Sequence, residues 1–454
     1  MKIAIIGAGI SGLTAAYYLS RDHEVTVLEA EPEIGGHTAT KKVEVAGRSY
    51  NIDTGFIVYN DWTYPNFIAL MNELGVAGRP SEMSFSVSCE NTGLEYAGSS
   101  ISTLFADRKN LLRPSYWKML KDIVRFNREA LEDLERGNLT PTLTLGDYLA
   151  QKNYGKLFED KYLLPMGAAI WSSTTGGMAD FPALFFVRFF KNHGLLSVKN
   201  RPQWHTLIGG SRSYLEPLTR PFKDSIVTGV TISSIVRAPR EVIIQYSGED
   251  GVLQTAQFDA IVLACHSDQA LELLSDATES EKSILSAIAY RRNEVVLHTD
   301  ITRLPKRRKA WSSWNYRLMS DAAIANSNGS GPDVMLSADK NEIGILSESA
   351  LPKLTYSMNI LQGIESETEF CVSLNQTSAI DASKILGTYH YSHPVFTADA
   401  IAAQSRWSEI AGKNKTWFCG AYWANGFHED GVVSALRVVD SLGDLIKQKG
   451  AEVA

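Results

Sequence analysis

Cysteine is scarce in this chain, at 4 residues in 454. Cys89, Cys265, Cys371 and Cys419 show no C-x-x-C spacing, which argues against a zinc site or a dithiol redox centre. Cys265 and Cys419 sit in apolar strand-like runs and are expected as buried thiols. Nothing in this pattern calls for an oxidising compartment. Positive charge is also in deficit. Lys and Arg number 44 against 51 Asp and Glu, a formal net charge of −7, which speaks against nucleic acid as a partner. No stretch is long and apolar enough to span a bilayer. Residues 3–19 are apolar enough to imitate a secretory signal, but a glycine pattern accounts for them and no cleavage-type segment follows. No internal repeat is visible. These absences leave a protein expected in the cytoplasm and acting on small molecules or lipids. The length and an apolar content of 44% predict two or three packed domains around a large core.

What is present concentrates at the amino end. Ile3 to Ile6 is a β-branched run of the kind that forms a buried parallel strand. Gly7, Gly9 and Gly12 then complete G-x-G-x-x-G at the turn into a helix. Gly7 permits the tight turn, Gly9 lets backbone approach a pyrophosphate, and Gly12 lets the helix pack against the strand. The helix start, with Ser11 in its first turn, offers free N–H groups and a partial positive charge to phosphates. A second apolar strand, Val25 to Leu28, ends in Glu29. A carboxylate at that position accepts hydrogen bonds from ribose hydroxyls and repels a 2′-phosphate. Strand, glycines, helix, strand and acid in register form a specific signal for a dinucleotide.

After Glu29 come Ala30-Glu31-Pro32-Glu33-Ile34 and then Gly35-Gly36-His37. An acid-ended strand followed by a glycine pair resembles the FAD-binding amine oxidase superfamily, which includes monoamine and polyamine oxidases, phytoene desaturases and protoporphyrinogen oxidases. The resemblance implies FAD, with Gly35 and Gly36 along its pyrophosphate. Relatives usually carry Arg or Lys next, whereas His37 stands here, so no fixed positive charge on the phosphate is implied. In the same superfamily an Asp-x-Gly segment passes the flavin ring. Here it is Asp53-Thr54-Gly55, which makes Thr54, Gly55 and Phe56 cofactor candidates. Val230 resembles the position whose backbone contacts adenine. Ala264, with His266 beyond it, matches a strand end near the adenosine. A late strand reaching Gly420 and a following helix resemble the elements that complete the site. There the resemblance assigns backbone N–H groups of Gly431 and Val432 to the flavin N1/C2=O edge.

These segments predict an α/β protein. A Rossmann-like FAD-binding domain of the amine oxidase type is expected from residues 1–80, 206–289 and 406–454. A helical lid is expected at 81–205 and a mixed-sheet substrate domain at 290–405. Within the lid, Tyr116, Met119, Ile123, Phe126, Ala130 and Leu134 recur in steps of three and four, giving one apolar helix face. Pro165 and Gly167 should interrupt a helix over Lys161 to Trp171. Five of the ten residues 181–190 are Phe, which fits either core packing or the wall of a greasy channel. Residues 321–332 read as an exposed loop. Arg303, Lys306, Arg307, Arg308 and Lys309 beside Trp311 and Trp314 fit either a solvated loop or a peripheral membrane contact.

Further phrases, among them Arg201-Pro-Gln-Trp204 and Tyr389-His-Tyr-Ser-His393-Pro394, resemble bacterial NAD/FAD-binding amine oxidase-like proteins, often encoded beside cyclopropane-fatty-acid synthases. That company implies chemistry on fatty-acyl chains. The leading expectation is oxidation of a hydrophobic small molecule or acyl lipid, with hydride passing to flavin N5. His428 is a candidate acid or base. It reads equally as a loop histidine bonded to a carbonyl. Tyr422 and Trp423 are candidates for a wall at the ring face, or core aromatics. An amine oxidase producing imine and hydrogen peroxide is the alternative. The lysine that amine-oxidising relatives place near N5 has only Lys353 as a candidate here. A flavin-bearing accessory partner of a lipid-modifying enzyme and a flavin-dependent isomerase complete the expectations. No metal is expected.

Overall fold

The computed structural model describes residues 1–318 and 351–453, with side chains described as far as Asp444; the loop expected at 321–332 lies outside the described residues. A five-stranded parallel sheet stands at the centre of the cofactor half. Its order is Ile226–Val227, Glu24–Leu28, Lys2–Ile6, Ala260–Leu263 and Thr416–Phe418. In register, Ile5 lies between Val27 and Val262. Both neighbours are apolar because both faces of the inner strands are covered, and all four residues of Ala260–Leu263 are buried. One face carries the helix Ile10–Leu19, which packs on the C-terminal helix His428–Val453. An antiparallel meander of Thr231–Arg237, Val242–Ser247 and Leu253–Phe258 flanks the sheet.

The second layer is a seven-stranded mixed sheet. Its order is Ile385–Pro394, Tyr290–His298, Cys371–Leu374, Leu354–Ser357, Trp314–Leu318, Phe85–Cys89 and Glu95–Ala97. The last two strands fall in the stretch 81–205 grouped with the helical lid, where residues 84–88 and 94–96 read from sequence as strand-like. They join the sheet because Ser84 and Ser86 have polar partners across the strand gap. Ser86 Oγ donates to Asn315 Oδ1 at 2.8 Å, and the Ser84 N–H donates to Ser313 Oγ at 2.8 Å. No local pattern announces such a pairing.

The helical region begins in earnest at Pro114–Glu135, whose buried stripe carries Tyr116, Met119, Phe126 and Ala130 as the spacing predicts. Asp122 and Asp133 share that face. Asp133 is satisfied there by the Tyr148 hydroxyl at 2.9 Å and the Lys152 ammonium at 2.6 Å. Pro165 lies within a continuous helical run, residues 156–171, whose α ladder is broken just before it. The preceding Glu159–Leu163 is a widened π turn. The phenylalanine run divides its labour along the helix Ala183–Asn192: Phe186 and Phe190 are core, stacked at 4.0 Å, while Phe189 faces a cavity. All four cysteines are free thiols. Cys89, Cys371 and Cys419 are buried and Cys265 is half-buried.

Candidate functional site

The first strand ends at Gly7, whose φ of +104° swings the chain into the helix Ile10–Leu19. A Cβ on Gly12 would stand 1.9 Å from the Gly7 carbonyl oxygen. Only glycine allows helix and strand to approach that closely. At Gly9 the space is open, with no atom within 4 Å of an added Cβ. The first intrahelical bond is Leu13 N–H to Gly9 O, and no side chain caps the turn. The amides of Ile10 and Ser11 therefore have no acceptor among the described residues, and both residues border a cavity. Free N–H groups at the positive end of a helix form an anion cradle.

Glu29 is held at the end of its strand. Its carboxylate accepts the Ala8 N–H at 2.6 Å and the Glu31 N–H at 2.9 Å, and it borders the same cavity. The Val230 N–H donates to the Glu29 carbonyl at 2.9 Å, which brings Val230 to the cavity edge. The Gly35 N–H donates to Ala8 O at 2.8 Å, and a Cβ on Gly36 would lie 3.4 Å from Gly9 Cα. Glycines from two segments thus line one slot. These residues fit an FAD pyrophosphate and ribose: donors with no acceptor, an acid at the strand end, and backbone bare of side chains. Ala264 and Gly420 also border the cavity from the ends of their strands.

The segment after the glycine pair packs on the Asp-x-Gly segment. The Phe56 N–H donates to His37 O at 2.8 Å, and a Cβ on Gly55 would fall 2.1 Å from that same oxygen. Thr54 pairs its hydroxyl with that of Tyr391 at 2.8 Å. Asp53 is a junction that the sequence reading missed. Its carboxylate accepts from Ser211 N–H and Oγ, each at 2.9 Å, and from Gln362 Nε2 at 2.8 Å. Three chain segments meet there. Burial pushes this carboxyl up to about 6, against the pull of Thr40 and Ser211.

His37 opens a histidine cluster. Its ring lies 5.4 Å from His393, 6.1 Å from His266 and 5.2 Å from Tyr391. The His37 Nε2 is buried without a partner among the described residues. Burial holds His37 and His266 down at about 4 and His393 at about 3, and mutual repulsion adds to this. The cluster is therefore neutral at physiological pH.

His428 begins the C-terminal helix rather than lying in a loop. Its ring stacks on Phe56 at 3.5 Å, and its Nε2 lies 3.0 Å from the Thr38 hydroxyl and 3.2 Å from that of Tyr214. Burial lowers its pKa far below the usual histidine range. The imidazole is clamped between two hydroxyls and is neutral at physiological pH. Tyr422 borders the cavity, whereas Trp423 turns into the core with its indole N–H unpartnered among the described residues. Gly431 and Val432 differ from expectation. The Gly431 N–H is already bonded to Phe427 O at 3.1 Å, and Val432 is buried away from the cavity. A Cβ on Gly431 would meet Ile10 Cγ2 at 2.8 Å and Ser11 Oγ at 2.9 Å, so this glycine lets the first and last helices touch. The helix-start residue on the cavity wall is instead His428. Lys353 is no ring-side lysine: its ammonium donates to Asn375 O at 2.8 Å, and it does not border the cavity.

All these walls enclose one cavity of about 1350 Å³. That exceeds the roughly 300–1,000 Å³ of an ordinary small-molecule site. Beyond the glycine slot it opens into a chamber walled by Met166, Ile170, Trp171, Phe189, Leu195 and Phe396. A smaller cavity of about 440 Å³ adjoins it and shares Tyr64, His193, Asn425 and Phe427.

The cavity histidines carry a pH signature. Each binds its proton less tightly when folded than in an unfolded chain near 6.5, so folding is favoured above that value and loses support as pH falls toward about 4. Asp53 and Asp430, both raised to about 6, act in the opposite sense but are fewer. The urea midpoint of flavin-free protein should therefore drop between about pH 7 and about pH 5. A midpoint that is flat or rises over that interval would contradict the neutral cluster.

The sequence model described as flavin containing amine oxidoreductase matches residues 10–297. Among curated proteins, the chain is 28% identical to an L-amino-acid oxidase of Mus musculus over 185 residues, covering 34% of this chain and 28% of that enzyme. It is 46% identical over 52 residues to an L-amino-acid oxidase of Bothrops moojeni, covering 11% of this chain and 10% of that one. The matches thus span well under two thirds of these relatives' lengths. Among solved structures, a cyclohexylamine oxidase from Brevibacterium oxydans IH-35A shares the fold at a TM-score of 0.64 and 14% identity, covering 98% of this chain and 99% of that one. A CLA-producing fatty acid isomerase from P. acnes does so at a TM-score of 0.64 and 16% identity, covering 97% and 98%. By this match over most of its length, the chain belongs to the flavin containing amine oxidoreductase family.

Proposed function

We propose that the protein is an FAD-dependent oxidoreductase whose substrate is an apolar molecule bearing an anionic end, with a fatty-acyl chain as the leading class. One observation carries the reading: the distribution of charge around the cavity. The acids that border it, Glu29, Glu31, Glu33 and Glu272, all come from segments flanking the parallel sheet. The wall supplied by residues 99–204 has a single charged residue, Arg201, because burial keeps His193 neutral at about 4. An ammonium-bearing substrate would find no carboxylate on that wall, whereas a carboxylate or phosphate head would find a guanidinium.

Bound in the glycine slot, FAD would supply a hydride acceptor. The chain supplies the rest. Ile10 and Ser11 amides would hold the phosphates and Glu29 the ribose. Phe189 and Phe427, with ring centres 5.3 Å apart, would line the chamber with apolar surface. Apolar walls orient the chain that reacts.

The test is anaerobic bleaching of the yellow holoprotein with a panel of fatty acids, acyl phospholipids and small amines. Bleaching by acyl substrates supports the reading; bleaching by amines alone overturns it. Arg201→Gln should raise KM for a free fatty acid about tenfold with kcat little changed, the signature of lost uniform binding. An unchanged KM would remove Arg201 from the site. Isomerised fatty acid without net bleaching would place the protein with redox-neutral flavoenzymes.

An amine substrate is the second reading. The smaller cavity is bordered by Glu429 and Asp430 beside Trp62 and Tyr64. Both carboxylates already accept backbone N–H groups: Glu429 from Asn66 and Phe67, Asp430 from Phe427. That engagement weakens the claim of a cation on them.

A further inference from the structure

The outer face of the helical region carries apolar side chains that nothing in the described structure covers. Leu112 is 87% exposed, Ile101 79%, Trp117 50% and Leu111 47%. They belong to one knitted surface. The Trp117 indole N–H donates to the Leu111 carbonyl at 3.0 Å, and the Trp117 ring packs 5.3 Å from Phe105. Large apolar groups gathered on a surface mark a contact with something apolar.

Cations surround them. Residues 101–121 hold Arg108, Lys109, Arg113, Lys118 and Lys121 against one acid, Asp107. That acid is buried and paired with Arg307 at 3.3 Å. Arg307 also bonds Glu95, so the basic stretch 303–309 is drawn beside this surface, and Arg308 lies over Trp311 at 5.0 Å. Lys118 is held by Asp122 at 3.1 Å, which leaves Arg108, Lys109, Arg113 and Lys121 as the cations of this face in a chain that is acidic as a whole. Trp117, Lys121 and Val124 lie three and four residues apart on the exposed side of the helix Pro114–Glu135, opposite the buried Tyr116 and Met119.

We propose that this face docks on an anionic phospholipid surface, with Leu111, Leu112 and Trp117 entering the acyl boundary and the surrounding Lys and Arg meeting the headgroups. Tryptophan and leucine ringed by basic residues have the composition of an interfacial membrane site. A nucleic acid would have no use for the leucines. A second copy of this chain would bring its own cations against these. The place in the fold gives the contact a purpose. From Trp117 the rings run inward through Phe105, then Tyr116 at 5.7 Å, then Tyr96 at 6.0 Å, and Tyr96 borders the large cavity. A run of three rings, Phe105, Tyr116 and Tyr96, therefore connects this face to the wall of the large cavity. The inference does not rest on the substrate being a lipid, because vesicle binding is read without turnover.

The test is co-sedimentation of the full-length flavoprotein with mixed phosphatidylcholine–phosphatidylglycerol vesicles and with pure phosphatidylcholine vesicles. The protein should partition onto the mixed vesicles and be released by salt, as a screened electrostatic attachment is. Leu112→Asp combined with Trp117→Asp should weaken binding at least about tenfold, with the flavin spectrum unchanged. Lys109→Glu combined with Lys121→Glu should abolish the preference for anionic lipid, and carries the test if the first variant folds poorly. Equal binding to both vesicle types, or full binding by both variants, overturns the proposal. So does a shift with duplex DNA, or a dimer dissolved by Leu112→Asp, where vesicles are ignored.

Discussion

Gly9→Val should yield a folded, colourless protein. Gly9 has φ −78° and ψ −178°, an extended conformation open to any L residue, and its Cβ position is free of neighbours. The valine therefore stands without strain, but it stands in the slot, between the Ile10 and Ser11 amides and the facing Gly36. Flavin affinity should fall at least a hundredfold, on the order of 2.7 kcal/mol, while the Tm of the flavin-free form stays near that of the parent apoprotein. Gly12→Ala should behave differently. Its methyl collides with a backbone carbonyl at 1.9 Å, so strand and helix must part. Stability should drop by about 1–3 kcal/mol or more, and flavin loss should follow from the damage. Absorbance at the flavin band together with thermal melts of both apoproteins separates the two. Yellow Gly9→Val protein would contradict the assignment of the slot.

The largest stability effect should come from a place with no contact to the cavity. Arg237 closes the strand Thr231–Arg237, and its side chain is 0% exposed against 1% for Glu281. Its guanidinium donates Nη2 to Glu281 at 2.9 Å and Nε to Asp276 at 2.8 Å. Glu281 also accepts the Thr278 N–H at 2.8 Å, capping the helix Glu279–Leu285. Arg237→Ala would leave the Glu281 carboxylate buried and unmatched, at a cost of about 3–5 kcal/mol. Replacing both partners, Arg237→Met with Glu281→Leu, should recover most of that loss, since a well-packed apolar pair has no charge to desolvate. Burial alone would raise the Glu281 carboxyl, but the bonds from Arg237 and Thr278 outweigh it and hold the group below its usual value. The pair's contribution is therefore present above about pH 4.3 and lost as pH falls through the lowered folded value. Urea titrations of parent, single and double variants at neutral pH measure this. A single variant as stable as the parent would remove the pair from any structural role.

Much of the cofactor half was legible because its signals are local. The glycines, the two strands and Glu29 lie within thirty residues, and each acts through its own backbone. The same holds for the apolar stripe of Pro114–Glu135. What was not legible has a common cause. Gly431 looked like a helix-start donor, yet the helix begins three residues earlier and its N–H is already bonded. His428 reads from sequence equally as an acid or base and as a bonded loop histidine, and the enclosure by Phe56, Thr38 and Tyr214 is visible only in space. In each case the residue was seen without the neighbours that set its role.

By itself, then, the order of amino acids determined an α/β chain with a dinucleotide cradle, because turn, amide and acid chemistry is written in short range. Tertiary structure alone decided where Asp53 finds Gln362, 309 residues away, and where Thr38 finds His428, 390 residues away. It also decided that the cavity histidines are neutral and that one wall carries a lone guanidinium. Such properties depend on water being excluded by partners from distant segments, and solvation of a group is a property of its surroundings in space.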